Sequence, residues 1–233
     1  MKGCLSVLVL AIVFVSVGAW FGGPPLASAI VASSLTSSGF ASDTLDVAVT
    51  SDPPLALAVG RASRVTIRAT NVRWKELRVG SLSLDLGSVD LVSRSMATAE
   101  GRLSSAQLAG ADGNPILADV DLTGSAGAAA TTITVEAAGV KSMALDAFEA
   151  KFGIRPSSVS LVAPDVIQIV VAGMTVSSQL AIDPDGSIVA LANGSSIRIL
   201  APEPSLPLKL MSLAVSPEAL VLVGTLDVEA LLR

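Results

Sequence analysis

Residues 159–200 read VSLVAPDVIQIVVAGMTVSSQLAIDPDGSIVALANGSSIRIL, and this stretch decides the fold class. Short apolar runs rich in Val and Ile occupy 159–162, 166–171, 176–182, 187–192 and 197–200, a composition that suits pleated strands. Asp183-Pro184-Asp185-Gly186 and Asn193-Gly194 separate the last three runs, and both are tight-turn sequences. Consecutive strands joined by turns this short pair antiparallel, because a parallel connection needs a crossover of a dozen or more residues.

Upstream of it the periodicity is helical. Val140, Met143, Ala144, Ala147, Phe148 and Phe152 recur at steps of three and four, and Gly153 is placed as a stop. Before that helix the period returns to two. Ile116, Ala118, Val120 and Leu122 alternate with Leu117, Asp119, Asp121 and Thr123, and the Ala/Gly/Ser-rich residues 124–130 read as a loop. Leu45, Val47 and Val49 form another alternating run, ended by Asp52-Pro53-Pro54. In 64–70, Val65, Ile67 and Ala69 fall on one side and Arg64, Thr66, Arg68 and Thr70 on the other, so one sheet face is buried and one is wet. A turn is predicted around Arg73-Trp74-Lys75. Leu77 and Val79 then sit on odd positions while Leu82, Leu84 and Leu86 sit on even ones, which calls for an irregularity near Gly80. Val89 and Leu91 are read as opening another strand. A final hairpin runs from Leu208 through Ser216-Pro217-Glu218 into 220–228, with Gly224 inside a strand.

The N-terminal thirty residues differ from the rest. Met1-Lys2 precedes an uncharged apolar run, 5–21, with the layout of an export signal; Pro24-Pro25 ends it, and 26–35 reads as a short helix with Leu26, Ile30 and Val31 on one stripe. Val17-Gly18-Ala19 and Ala27-Ser28-Ala29 both offer cleavage spacing, and seventeen apolar residues at about 1.5 Å each also come close to spanning a bilayer core. A cleaved signal and a retained anchor both remain open. The expected parse is 1–29 as signal peptide or membrane anchor and 30–233 as a single domain, with the protein exported to the cell envelope or periplasmic space. Cys4 lies before the apolar run, where a lipoprotein would carry its modified cysteine after it.

The 233 residues contain no His, no Tyr and one Cys. Triads, His metal sites, zinc knuckles and intramolecular disulfides are therefore excluded, and the residue best suited to proton transfer near neutral pH is missing. With a mean hydropathy of +0.69, 51% hydrophobic residues and 15% charged, the chain is expected to bind rather than catalyse, without a cofactor or metal. Asp119-Val120-Asp121-Leu122-Thr123-Gly124 imitates the start of a calcium loop, but Ala130 stands where the bidentate glutamate belongs. Asp119 and Asp121 are more simply the wet face of a strand. No phosphate loop, dinucleotide fingerprint or nucleophile elbow occurs, and Asn193-Gly194-Ser195 is first a turn and only second a glycosylation acceptor. The formal net charge is −5, yet Arg61, Arg64, Arg68, Arg73, Lys75 and Arg78 crowd into 18 residues with only Glu76 against them. Aromatics at 3% supply no stacking platform, so nucleic acid is not an expected partner. A local anion contact, such as a lipid headgroup, fits this charge better.

Three stretches together resemble the LmeA family of phospholipid-binding proteins, exported or envelope-anchored bacterial proteins. They are Asp52-Pro53-Pro54-Leu55 through Val59-Gly60-Arg61 before Val65-Thr66-Ile67; Leu77-Arg78-Val79-Gly80-Ser81-Leu82-Ser83-Leu84-Asp85-Leu86; and Leu206-Pro207-Leu208-Lys209-Leu210 through Val221-Leu222-Val223-Gly224. The resemblance implies an α+β domain, a large twisted antiparallel sheet packed around two or three short helices. It implies non-enzymatic binding of phospholipid, with an anionic lipid fitting the local charge, in an apolar groove, in support of lipid handling or envelope maintenance. On the pattern of the residues, Leu55, Leu57 and Val59 are expected at the groove entrance, and Val140, Met143, Ala147, Phe148 and Phe152 along the helix. Arg61, Arg64 and Arg68 are candidates for headgroup contact. The competing expectation is a structural or assembly partner whose exposed apolar surface meets another, unidentified envelope protein.

Overall fold

The computed structural model describes residues 23–74, 77–109, 115–192, 195–200 and 206–232. Thirteen strands form two antiparallel sheets among these residues. The large sheet is a meander, β1 (Thr44–Thr50), β2 (Arg61–Trp74), β3 (Leu77–Asp90), β4 (Thr98–Ala109), β5 (Pro115–Ser125) and β6 (Ala129–Glu136), extended by β13 (Ala219–Leu226) beside β6 and β12 (Leu208–Val215) at the edge. The small sheet is a second meander, β7 (Ser158–Val162), β8 (Val166–Val171), β9 (Met174–Ile182), β10 (Ile188–Ala192) and β11 (Ser195–Leu200). Helix α1 covers 23–37, α2 is Ala137–Phe152 and α3 is Val228–Leu232. An α+β architecture dominated by antiparallel sheet, as the sequence implies, is what forms.

Helix α2 joins the two sheets. Val140, Met143, Ala144 and Ala147 are buried on one helix face, in a cluster with Ile133 and Val135 of β6, Leu220 and Leu222 of β13, and Ile167, Ile169, Ile188 and Ile199 of the small sheet. Each large aliphatic side chain taken from water contributes about 1.5–3 kcal/mol, and this stripe ties the two sheets into one core. Gly153 ends α2 in the left-handed region at φ 69°, donating its N–H to the Glu149 carbonyl.

Strands β2 and β3 of the large sheet switch their buried positions together. Asn71 (φ 50°) and Gly80 drop out of the β2–β3 pairing between Thr70↔Ser81 and Val72↔Val79. The neighbouring Ser105 (φ 55°) drops out of β4–β5, where the register shifts between Leu103 and Ala106. Burial accordingly passes from Val72 and Val79 to Ala69 and Leu84. The irregularity expected at Gly80 is therefore present as an unpaired position of Asn71 and Gly80 that leaves the β2–β3 register unchanged, and the bulge that shifts register lies on β4, between Leu103 and Ala106.

Several elements differ from the sequence reading. Val89 closes β3 instead of opening a strand, and Leu91 begins a turn in which the Asp90 carboxylate accepts the Val92 and Ser93 N–H groups. Strands β4 and β6 were not expected. β4 carries Gly101, Arg102, Ser104 and Ser105 among its residues, which dilutes its apolar alternation, and β6 begins inside the small-residue tract 124–130 that reads as a loop. Arg73 and Trp74 belong to β2 rather than to a turn, and Lys75 lies outside the described residues. In α1 the packed side chains are Ala27, Val31 and Leu35; Leu26 and Ile30 are 67% and 68% exposed. The expected stripe was rotated by about a quarter turn, because Val31 and Leu35, one helical turn apart, are the pair that reaches the sheet.

Candidate functional site

Pairing in the large sheet brings together a row of side chains that are distant in sequence. Leu45, Ala69, Leu82, Leu103, Val120 and Ile133 are successive cross-strand neighbours on β1 to β6, through Leu45↔Ala69, Ala69↔Leu82, Leu82↔Leu103, Leu103↔Val120 and Val120↔Ile133. All lie on the inner face, the one that buries Ile67, Leu84, Ala118 and Leu122. Ala69 and Ile133 are buried, whereas Leu82, Leu103 and Val120 between them are only half-buried.

That half-exposure has a position in the fold. Three apolar clusters line the inner face, one under α2, one under α1, and one around Phe40 and Trp74. Leu82 and Leu103 border the α1 and Trp74 clusters, and Val120 borders the Trp74 and α2 clusters. Leu35 of α1 and Leu45 of β1 stand at the same junction. The row is thus the seam between the regions that the two helices cover, an aliphatic strip three strands wide with no charged residue in it.

The residues expected from sequence fall into three places. Val140, Met143 and Ala147 are 0%, 1% and 6% exposed and fill the core between the sheets. Phe148 packs at the margin of that core, and Phe152 is 47% exposed, its ring 4.6 Å from that of Phe148. Leu55, Leu57 and Val59 form a 3-10 turn between β1 and β2; Leu57 packs inward against the α1 cluster, while Leu55 and Val59 face outward. The structure does not bring the turn and α2 together, since they belong to different clusters.

Arg64 and Arg68 project from the outer face of β2, opposite to the buried Val65 and Ile67, and Arg61 stands exposed at the strand's beginning. Arg61 also helps hold the Asp90 carboxyl below its ordinary range, after the larger effect of the Ser93 and Val92 N–H groups that it accepts. Asp119 and Asp121 lie on the outer face too. Arg102 sits 3.3 Å from Asp119 and 3.7 Å from Asp121, and Asp119 also accepts the Ser105 N–H at 3.0 Å. These carboxylates close a bulge and an exposed ion pair, an occupation that accounts for their spacing.

A surface cavity of about 420 Å³ opens between the β9–β10 turn and β12, lined by Ile182, Asp183, Asp185, Lys209 and Met211 among others. It includes none of the expected residues. Among the described residues no three potential metal ligands cluster, and no helix is long and apolar enough to cross a membrane. Asn193 and Gly194 lie outside the described residues.

The sequence pattern puts Leu82 and Val120 on strands but marks no site there, and Leu103 stands in no periodic run. Only cross-strand register assembles the row, and register is not readable from one strand at a time. Residues 16–225 match the family model described as LmeA-like phospholipid-binding. No curated protein and no solved structure matches the chain.

Proposed function

The chain belongs to the LmeA-like phospholipid-binding family, and from that premise we propose that it holds phospholipid acyl chains against the Leu82–Leu103–Val120 row, between α1 and α2. The observation that carries this reading is the row itself: three aliphatic side chains in register, half-open, at the junction of three otherwise closed clusters. An acyl chain laid there removes aliphatic surface from water at about 25 cal/mol per Å² without needing any polar partner. No proton transfer or bond cleavage is involved, so the protein binds and does not catalyse.

The location follows from the same reading. We place the protein in the cell envelope, delivered by the apolar run 5–21. Helix α1 runs through the 29/30 boundary, with Ala27 buried and the Ser28 hydroxyl accepting the Val49 N–H at 3.0 Å. Cleavage after Ala29 would remove both contacts, which favours a mature chain that starts at or before Gly23, by a cut after Ala19 or by retention of the run. An anionic headgroup remains the choice that the β2 arginines favour, reached around the sheet edge because Arg64 and Arg68 face outward.

The test is mass spectrometry of organic extracts from the protein purified out of its envelope without detergent, beside an unrelated exported protein. One phospholipid per chain supports the reading and names the headgroup. An empty chain sinks it and favours an envelope-protein partner on the same apolar strip.

A further inference from the structure

We propose that the end of the molecule formed by the 3-10 turn (Pro54–Val59), the 91–94 turn and the start of α1 is a bilayer-contacting surface that seats the domain on a phospholipid membrane. This goes beyond acyl-chain binding on the inner face and does not depend on it. Leu55, Val59 and Val92 are 54%, 67% and 79% exposed, and Leu26 of α1 is 67% exposed. Aliphatic side chains that stand this far out singly are ordinary, but these four share one end. An ideal Cβ at Gly60 would stand 2.5 Å from Val92 Cγ2, and the Leu91 N–H donates to the Gly60 carbonyl at 2.7 Å, so the two turns are locked side by side. On the other flank an ideal Cβ at Gly23 would stand 3.6 Å from Leu57 Cδ1, which brings the first residue of α1 against the 3-10 turn.

The occupant is identified by what the chain does just before Gly23. Residues 5–21 are uncharged and apolar, and they end two residues from the point where α1 meets this turn. Whenever that run lies in a membrane, the Gly23 end of the fold is within a few ångströms of the headgroup layer, and Leu26, Leu55, Val59 and Val92 are the side chains presented to it. Charge at this end is mixed. Arg61 and Arg94 are exposed there with Asp52, while Asp90 is engaged by the turn it caps. Shallow insertion of aliphatic side chains therefore carries the contact, with the arginines beside it at the level of lipid phosphates.

The experiment uses the full chain in vesicles of phosphatidylcholine and phosphatidylglycerol, with Cys4→Ser as background and an environment-sensitive fluorophore on Val59→Cys, Val92→Cys or Met174→Cys. Met174 is 68% exposed at the β8–β9 turn in the small sheet and serves as the distant control. The expected result is blue-shifted emission at 59 and 92 and loss of intensity to lipids carrying a shallow nitroxide quencher, with neither change at 174. Water-like emission at 59 and 92 in a chain that floats with the vesicles overturns the proposal, as does equal quenching at all three positions. Either result leaves acyl-chain binding on the inner face to its own extraction test, so the two failures are distinguishable.

Discussion

Replacing Leu103 by alanine separates a side chain that lines an open strip from one that fills a core. Met143 provides the comparison, because it is 1% exposed and enclosed by strands of both sheets. Truncating a fully buried Leu or Met to Ala costs about 2–5 kcal/mol, from lost transfer energy and from the cavity left behind. Leu103 is partly buried at the margin of its clusters, so most of the transfer term but little of the cavity term is lost, about 1–2 kcal/mol. For a chain of this size each kcal/mol lowers the thermal midpoint by about 2–4 °C. Lipid binding should show the opposite order. An acyl chain seated on the row loses one Leu contact, and about 1–2 kcal/mol of contact corresponds to roughly 5–30-fold weaker binding. Met143→Ala should leave the lipid carried per folded chain unchanged. The assay is urea denaturation of both variants together with the molar ratio of extracted phospholipid to protein. If Leu103→Ala destabilises as much as Met143→Ala and retains its lipid, Leu103 is core and the strip is no site.

Other outcomes follow from the same geometry. Gly224→Ala should cost about 1–3 kcal/mol, because its Cβ would meet the Lys209 carbonyl oxygen and the Leu210 Cα across the β12–β13 ladder, both of them backbone; an unchanged midpoint would mean that β12 can move aside. Gly153→Ala meets no atom within 4 Å and should cost only about 1 kcal/mol, the strain of a non-glycine residue at φ 69°. The Asp185 carboxyl is held below its ordinary range, first by accepting the Ser187 N–H and hydroxyl and then by Arg198, whose guanidinium is 2.8 Å away. A depressed carboxyl stabilises the folded chain while it is ionised and loses that contribution as pH falls through the carboxylate range. Asp185→Asn should therefore be less stable than the parent at neutral pH and equal to it in acid, and a difference that persists in acid would contradict this. Finally, a chain beginning at Gly23 should melt higher than one beginning at Ile30, which lacks Ala27 and the Ser28–Val49 hydrogen bond, by about 1–3 kcal/mol in stability; identical curves would show α1 to be dispensable.

Much of this fold is legible in local pattern. The five runs of 159–200 are the five strands of the small sheet, because each is apolar, β-branched and bounded by turn residues. The α2 stripe and its Gly153 stop are equally plain, since both are properties of one helix. What the pattern concealed is everything that depends on pairing. β6 is alternating in 131–135 but opens with two alanines, and β4 reads as polar because half of its residues face water beside a bulge. The candidate site suffers from the same limit. Val140, Met143 and Ala147 are the most conspicuous apolar residues in the chain because a closed core demands them, and a helix cannot report which neighbour covers its stripe. Leu82, Leu103 and Val120 are inconspicuous singly and form a strip only through the register of three strands. The arginines of β2 were legible as a charge cluster, but the face on which Arg64 and Arg68 emerge is opposite to the strip.

Whether an acyl chain lies on the inner face of the large sheet is decided by loading the detergent-free protein with a phospholipid that carries a photoactivatable diazirine near the middle of one acyl chain, then mapping the crosslinked residues by mass spectrometry. Adducts are expected on β3, β4 and β5, at or beside Leu82, Leu103 and Val120. Adducts confined to the outer face or to the small sheet, with those three strands unlabelled, would rule out an acyl chain on this face.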